Sequence, residues 1–331
     1  MTIYDIAKLA GVSIATVSRV VNGSPKVSEK TKETVRRVMA ETNYTPNAFA
    51  RGLGLGTMQT VGIVCPDVAD PYMAKAVSYL EKNLQGYGYD CILYCSGYDD
   101  ADREQAVSLL LKKQLDALLL VGSIFSDEQS AVLTQLREAA ARIPIFLING
   151  VLSGDNVYCV LGDDYQAVYD VTEELVLAGK RRILFLTNSS SYSAGRKQQG
   201  YEAALAAHQL DVDARLILHC ENSIPATRDL LLRQRGLTFD SVIAIEDGMA
   251  VGALKYAAVC GLRVPDELSV VGYNNSELSI CCDPELTSVD NRGELLCRTT
   301  IDSLMALLDG QTIPKQQVIK CHLIKRASTD F

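Results

Sequence analysis

Histidine is scarce, with three in 331 residues. His208, His219 and His322 stand far apart, two of them in apolar helix-like or strand-like surroundings, so no histidine cluster is readable for proton transfer or metal binding. The chain also has no Gly-x-Ser-x-Gly nucleophile elbow, no phosphate loop and no Cys/His pairs at metal-ligand spacing. An enzyme needs such a constellation, so neither catalysis nor a metal or cofactor is expected. Long hydrophobic runs are missing as well. Leu118–Val121 is typical of those present, far short of the roughly 20 residues that cross a bilayer. The opening Met1-Thr2-Ile3-Tyr4-Asp5 has neither the basic region nor the apolar stretch of a secretory signal. These absences predict a cytoplasmic protein with no membrane partner. Ten cysteines are present without one Cys-x-x-Cys pair. Cys65, Cys91, Cys159 and Cys220 fall in strand-like apolar runs, where cysteine is a small hydrophobe. A reduced compartment follows. Cys281-Cys282 could form a redox pair, although two incidental thiols is the simpler reading.

The composition, 48% hydrophobic and 22% charged, is that of a soluble globular protein, and the length allows two or three domains. Charge is divided unevenly. Residues 1–56 hold eight Lys+Arg against four Asp+Glu, a net +4, and the remainder holds 24 against 36, a net −12. A small basic head on an acidic body is what nucleic-acid binding asks of one end, and a solvated basic face would give the same count.

The head reads as helices. Thr2-Ile3-Tyr4-Asp5 has the form of a capping box, with the Thr2 hydroxyl able to accept from the Asp5 amide. Ile3, Ile6, Ala7 and Ala10 share one helical face, and Gly11 stops the helix. Ser13 caps a second helix from Ile14 to about Val21, whose buried side is Val17, Val20 and Val21. Two short helices joined by a glycine-containing turn make a helix-turn-helix. Ser28 caps a third helix with Val35, Val38 and Met39 inward. The outer face of the second helix carries Ile14, Ala15, Thr16, Ser18 and Arg19, short or hydrogen-bonding side chains that suit a major groove. A scaffold facing only water would be richer in Glu and Lys.

The run from Thr2 to Gly23, Thr-Ile-Tyr-Asp-Ile-Ala-Lys-Leu-Ala-Gly-Val-Ser-Ile-Ala-Thr-Val-Ser-Arg-Val-Val-Asn-Gly, resembles the head of the LacI family of bacterial regulators almost position by position. Thr45-Pro-Asn-Ala-Phe-Ala-Arg-Gly-Leu53 is similar to that family's hinge. The resemblance implies a homodimer on double-stranded operator DNA, with Ile14, Ala15 and Arg19 reading bases. Arg19 can reach guanine O6 and N7 together, while Ile14 and Ala15 can pack on thymine methyls. It also implies phosphate contacts from Thr2, Tyr4, Ser13, Thr16, Ser18 and Asn22, which set register without reading sequence. Asn47, Ala50, Arg51 and Leu53 would belong to a hinge helix in the minor groove, Leu53 acting as the wedge that opens a base step. Gly52, Gly54 and Gly56 depart from that pattern, each costing a helix about 0.8–1 kcal/mol. The hinge is therefore expected to fold only on DNA. These glycines do not form a phosphate cradle, because a helix-like segment precedes them and a strand follows.

From Val61 onward a strand-then-helix unit recurs. The strand-like runs are Val61–Cys65, Cys91–Cys95, Ala117–Val121 and Ile145–Ile148, then Ile183–Thr187, Leu216–His219, Val242–Ile245 and Leu268–Val271. Their continuous apolar character predicts sheets covered on both faces, and the alternation predicts doubly wound α/β lobes. A final helix near Glu294–Leu308 and a strand near Val318–Ile324 complete the pattern. The expected division is a helix-turn-helix domain at 1–46, a hinge and linker at 47–59, and a body at 60–331. Within the body, lobe 1 takes about 60–160 plus 292–323, and lobe 2 about 161–291 plus 324–331.

Ligands in such sheets sit beyond the carboxyl ends of the strands. The loops there are polar and include Tyr72, which suits a small polar ligand, although such loops are polar in any case. Asp247-Gly-Met-Ala-Val-Gly252, Gly261-Leu-Arg-Val-Pro-Asp266 and Leu286-Thr-Ser-Val289 are similar to the periplasmic-binding-protein-like sensor of LacI-family regulators. That resemblance implies an effector, most often a sugar or sugar derivative, near Tyr72, Ser123, Asn149, Arg196, Lys197, Asp247 and Asn274. Three departures bear on it. Lys197 stands where the family usually has arginine, Gly272-Tyr-Asn-Asn275 replaces Gly-Tyr-Asp-Asp, and Asn149 replaces an acid. Lys and Arg grip oxygens differently, so a neutral sugar stays open and an anionic effector gains weight. The Arg196-Lys197 pair is similar to that of catabolite control protein A, which leaves a protein corepressor as an alternative. A sugar-binding protein without a DNA role would share the body and lack the head.

Overall fold

The computed structural model describes residues 1–44, 57–126 and 132–331. They fall into two units: Met1–Thr60 with Lys113–Asp116, and Val61–Lys112 with Ala117–Phe331. The hinge positions Asn47, Ala50, Arg51 and Leu53 lie outside the described residues.

Among the described residues of the first unit there are three helices, α1 (Ile3–Ala10), α2 (Ile14–Val21) and α3 (Glu29–Glu41). Their core is Ile6, Ala7, Val17, Val20, Val35 and Val38, with Ile3, Ala10, Val12, Val21 and Met39 packed around it. The turn between α1 and α2 depends on Gly11, whose φ of 66° lies in the left-handed region that glycine adopts without a Cβ clash. At the start of α1 the expected Thr2–Asp5 capping box is present. The Thr2 hydroxyl donates to Asp5 Oδ2 at 2.9 Å, and the Thr2 main-chain N–H donates to the same oxygen at 2.8 Å. A carboxylate is the stronger acceptor and collects both protons. Ser13 and Ser28 cap α2 and α3, accepting from the amides of Thr16 and Thr31.

The second unit is built on two six-stranded sheets. Lobe 1 contains β1 (Thr60–Cys65), β2 (Asp90–Cys95), β3 (Ala117–Val121), β4 (Ile145–Ile148), β5 (Val157–Gly162) and β11 (Gln316–Ile319), in the spatial order β11-β5-β4-β3-β1-β2. Lobe 2 contains β6 (Ile183–Thr187), β7 (Ile217–His219), β8 (Ser241–Ala244), β9 (Ser269–Tyr273), β10 (Thr287–Asp290) and β12 (His322–Ile324), in the order β12-β10-β9-β8-β6-β7. β12 runs antiparallel to β10, whereas β10 runs parallel to β9. The helices are α4 (Pro71–Gly86), α5 (Asp100–Leu111), α6 (Val132–Ala140), α7 (Asp164–Leu177), α8 (Tyr192–Ala207), α9 (Ile224–Arg233), α10 (Asp247–Cys260), α11 (Leu278–Cys281) and α12 (Gly293–Leu308). Strands β3, β4, β6 and β8 are apolar along most or all of their length and buried, because helices cover both faces.

The single strand expected near Val318–Ile324 is in fact two. β11 ends at Ile319 in the first sheet and β12 begins at His322 in the second, so the chain changes lobes at Lys320-Cys321. Two other changes fall after Gly162 and between Asp290 and Gly293. Three crossing strands thus join the lobes, and the carboxyl ends of both sheets border the space between them. None of the helices among the described residues is long and apolar enough to cross a membrane.

Candidate DNA-reading surface and interlobe cleft

On α2, Ile14, Ala15 and Arg19 are exposed, and Ile14 keeps 41% of its surface accessible. A bare isoleucine at a helix start is costly in water unless something covers it. Val17 and Val20 hold the opposite face in the core, so the exposed triplet is fixed in direction by packing. The Ser13 hydroxyl accepts from the Thr16 amide at 3.1 Å and lies 2.9 Å from the Thr16 hydroxyl. Thr2, which caps α1, and Tyr4 on α1 are exposed, while Thr16, Ser18 and Asn22 are half-buried. Arg19 is the one charged residue on α2.

In the body, a cleft of about 600 Å³ opens between the lobes. Lobe 1 supplies Asp67, Asp70, Tyr72, Tyr98 and Ser123, and lobe 2 supplies Ser191, Ser193, Lys197, Glu221, Asn222 and Glu246. A smaller pocket of about 300 Å³ shares Asp70, Tyr72 and Glu246 and adds Asp247 and Asn274. The helix starts explain this grouping. Asp70 caps α4, its Oδ1 accepting from the amides of Tyr72 and Met73 at 2.9 and 3.1 Å, which turns Tyr72 into the space between lobes.

Lys197 is 5% exposed. Its ammonium sits 3.6 Å from the centroid of the Tyr273 ring and donates to the Ile245 carbonyl at 3.4 Å. A cation on an aromatic face keeps part of the stabilisation lost with its water. The Tyr273 ring is pinned in turn, since its hydroxyl donates to Asp164 Oδ1 at 2.5 Å, and Ser193 donates to Asp164 Oδ2 at the same distance.

Glu246 lines the same lobe 2 wall as Lys197 and feels its charge. Burial pushes its carboxyl up to about 7, opposed by Lys197 and Asn274 and reinforced by Asp70 and Asp247. The Asp247 carboxyl is also raised by burial, but its oxygens are occupied: Ser288 donates to Oδ1 and the Ser276 amide to Oδ2, both at 2.6 Å. It braces α10 against the end of the second sheet.

Of the seven residues expected near an effector, Tyr72, Ser123 and Lys197 line the larger cleft, and Asp247 and Asn274 line the smaller pocket. Arg196 lies elsewhere. Its guanidinium stacks 4.7 Å over the Tyr165 ring and donates to Gln199 at 2.8 Å. One residue along a helix is a turn of about 100°, so adjacent Arg196 and Lys197 cannot face the same way. Asn149 reaches the cleft only through Tyr72, donating to its hydroxyl at 2.6 Å. The cleft lining holds four carboxyl groups, Asp67, Asp70, Glu221 and Glu246, and one ammonium, that of Lys197. Sequence reasoning pointed to polar loops beyond the strand ends and named neither Glu246 nor Asp70 as an effector residue; the signal was their place at the starts of α10 and α4. Among the described residues no group of His, Cys, Asp and Glu could hold a metal ion, and none of the ten cysteines is bridged.

Comparison with known proteins accords with this architecture. Residues 2–47 match the model of bacterial regulatory proteins of the lacI family, and residues 58–327 match that of periplasmic binding proteins and the sugar-binding domain of the LacI family. An HTH-type transcriptional regulator of Lachnoclostridium phytofermentans is 49% identical over the whole of both chains. Catabolite control protein A of Staphylococcus epidermidis is 31% identical, covering 99% of each. Among solved structures, the lac repressor dimer bound to operator and the anti-inducer ONPF superposes with a TM-score of 0.88 at 28% identity, over 99% of each chain. The CelR–cellobiose complex gives 0.71 at 29%, also over 99% of each. The chain belongs to the LacI family and is an HTH-type transcriptional regulator, with a helix-turn-helix head and a two-lobed periplasmic-binding-protein-like body.

Proposed function

We propose that this regulator is a cytoplasmic repressor that binds a palindromic operator as a homodimer, and that a neutral saccharide held between the lobes sets its affinity for DNA. Ile14, Ala15 and Arg19 read base edges from α2. Thr2, Tyr4, Ser13, Thr16, Ser18 and Asn22 grip phosphates, and Asn47, Ala50, Arg51 and Leu53 enter the minor groove from a hinge between the 1–46 head and the body that begins at residue 60. The observation that supports the DNA side is an exposed isoleucine, alanine and arginine on a short helix, fixed in direction by Ser13, Val17 and Val20.

On the ligand side, charge supports the reading. Carboxylates outnumber the one cation in the cleft, and a phosphate would meet their repulsion in a site shielded from water. Sugar hydroxyls donate readily to carboxylates, and the tyrosine rings offer apolar faces for a pyranose. The cleft, about 600 Å³, has room for a mono- or disaccharide. Relatives support the same class: CelR is solved with cellobiose. Calorimetry on the full chain tests it by comparing galactose, glucose and cellobiose with glucose 6-phosphate and fructose 1,6-bisphosphate. Binding by a neutral saccharide, with the phosphates at least tenfold weaker, is expected. Tighter binding of a phosphate overturns the ligand class.

A further inference from the structure

Two cysteines stand opposite each other on neighbouring strands of lobe 1. β1 ends at Cys65 and β2 at Cys95, and the two strands pair in the first sheet, with β2 at its edge. The Cys65 carbonyl accepts from the Ser96 amide at 2.9 Å, the bond that sets Cys65 across from Cys95 in a parallel pair. Opposed residues point their side chains to one face of the sheet. That face is the one α4 covers: Val61, Ile63 and Cys65 share a core cluster with Ala76, Leu80 and Leu84, and Cys91, four residues before Cys95, packs against it. Neighbouring strands lie about 4.8 Å apart, inside the Cα separation of roughly 4.4–6.8 Å that a disulfide spans. Exposure divides the pair. Both are free thiols, but Cys65 is fully buried, while Cys95 is exposed and lines a pocket of about 190 Å³ with Gly97, Asp102 and Gln105. Burial pushes the Cys65 thiol up to about 12, and the neighbouring Cys95 adds to the rise. A buried thiol of this kind is inert to solvent oxidants by itself.

We propose that Cys65 and Cys95 are an oxidative modification site, which a hydroperoxide converts to a disulfide across the ends of β1 and β2. Cys95 reacts first, because solvent reaches it. Its thiolate attacks one peroxide oxygen, so that an S–O bond forms and the O–O bond breaks. The other oxygen leaves as hydroxide, which takes the Cys95 proton and becomes water. The Cys65 sulfur then attacks the Cys95 sulfur: the S–S bond forms, the S–O bond breaks, and the departing hydroxyl takes the Cys65 proton as a second water. Two thiols lose two electrons in all, and one peroxide is reduced to two waters. A dithiol reverses the bond by exchange. The adjacent Cys281-Cys282 are less suited, since Cys282 is half-buried and its thiol donates to the Ser279 carbonyl at 3.6 Å. Position supplies the consequence. Residues 66–73 follow Cys65 and residues 96–98 follow Cys95, and from them Asp67, Asp70, Tyr72 and Tyr98 line the cleft. A bridge ties these two loops together at their roots, whatever ligand the cleft takes.

Peptide mapping of the full chain tests the site. Fully reduced protein is treated with about one equivalent of hydrogen peroxide, blocked with an alkylating agent and cleaved without reductant, including after Tyr94 to separate Cys91 from Cys95. The expected product is a pair of peptides joined through Cys65 and Cys95 in most chains, and lost on treatment with dithiothreitol. Cys65→Ala strands Cys95 at the sulfenic acid, so trapping there by dimedone should rise about tenfold over the parent. Cys95→Ser, a change at an exposed position, should leave Cys65 a free thiol at the same dose. Four results would overturn the proposal: both cysteines remaining thiols, Cys95 ending as a sulfinic acid beside a free Cys65, a bridge joining the Cys95 residues of two copies, or a bridge within Cys281-Cys282 alone. Should Cys65→Ala fail to fold, the parent map and Cys95→Ser decide, and Cys65 oxidised to the same extent in Cys95→Ser would equally overturn it. No saccharide or DNA is used, so failure here and failure of the proposed function are separate results.

Discussion

Arg19 and Glu246 carry the sharpest consequences for single residues. Arg19 projects from α2 with no other charge on that helix, and a bidentate arginine–guanine contact is worth about 1–3 kcal/mol of discrimination. Arg19→Ala should flatten preference at one base pair per half-site by that amount, leaving self-association and ligand binding unchanged. Competition binding on duplexes varied at one position measures it, and loss of the oligomer in sedimentation would refute the division of labour. Glu246 makes a prediction of opposite character. Its folded-state carboxyl is raised from 4.5 to about 7, so between those pH values the unfolded chain has released the proton and the folded chain retains it. Stability therefore falls as pH rises through that window. Glu246→Gln keeps an oxygen for Asn274 and removes the penalty. The variant should match the parent at pH 4 and exceed it at pH 8 by about 1–3 kcal/mol, read from urea midpoints. A gap independent of pH would contradict the assignment.

At the scale of elements, α7 and α8 pack through Gly200. A Cβ there would lie 2.2 Å from the Tyr165 carbonyl oxygen, and backbone cannot step aside as a flexible side chain can. Gly200→Ala should cost about 2 kcal/mol or more by forcing the helices apart, seen as a lower urea midpoint at unchanged slope. Leu53→Ala, in the hinge, should weaken binding to the preferred duplex more than to random DNA, because only the bent complex uses a wedge. Equal weakening of both would remove that role. Most elements were legible in the sequence. Strands such as Ala117–Val121 and Ile183–Thr187 announce themselves by unbroken apolar character, and Ser13 and Ser28 by their capping. β10 did not. Its Thr287 and Ser288 are fully buried, yet they look like loop residues until their partners are known: Thr287 pairs with Thr329 and Ser288 with Asp247, both about forty residues away in sequence. The break between β11 and β12 was hidden for a similar reason, since periodicity reports a strand and not the sheet it joins. The cleft was legible as a set of loops at strand ends. Which of Arg196 and Lys197 faces it was not, because that depends on the rotation of α8 fixed by its packing on α7.

For the whole molecule, a basic head and an acidic body separate two tasks. The head suits the phosphate charge of DNA, and under the proposed function the body presents hydrogen-bond acceptors to a neutral saccharide. Coupling between them can amount only to the ligand's difference in affinity for two lobe arrangements. The central claim is that α2 reads DNA from a two-fold assembly. Repeated selection of random duplexes on the full-length protein, followed by titration of the winner against salt, tests it most directly. The account predicts a palindromic winner bound at least about 10³-fold tighter than random duplex of equal length, with log affinity falling by about 0.9 per phosphate neutralised for each tenfold rise in salt. Selection that yields no palindrome, or a winner no tighter than random DNA with galactose, glucose or cellobiose present or absent, would contradict it.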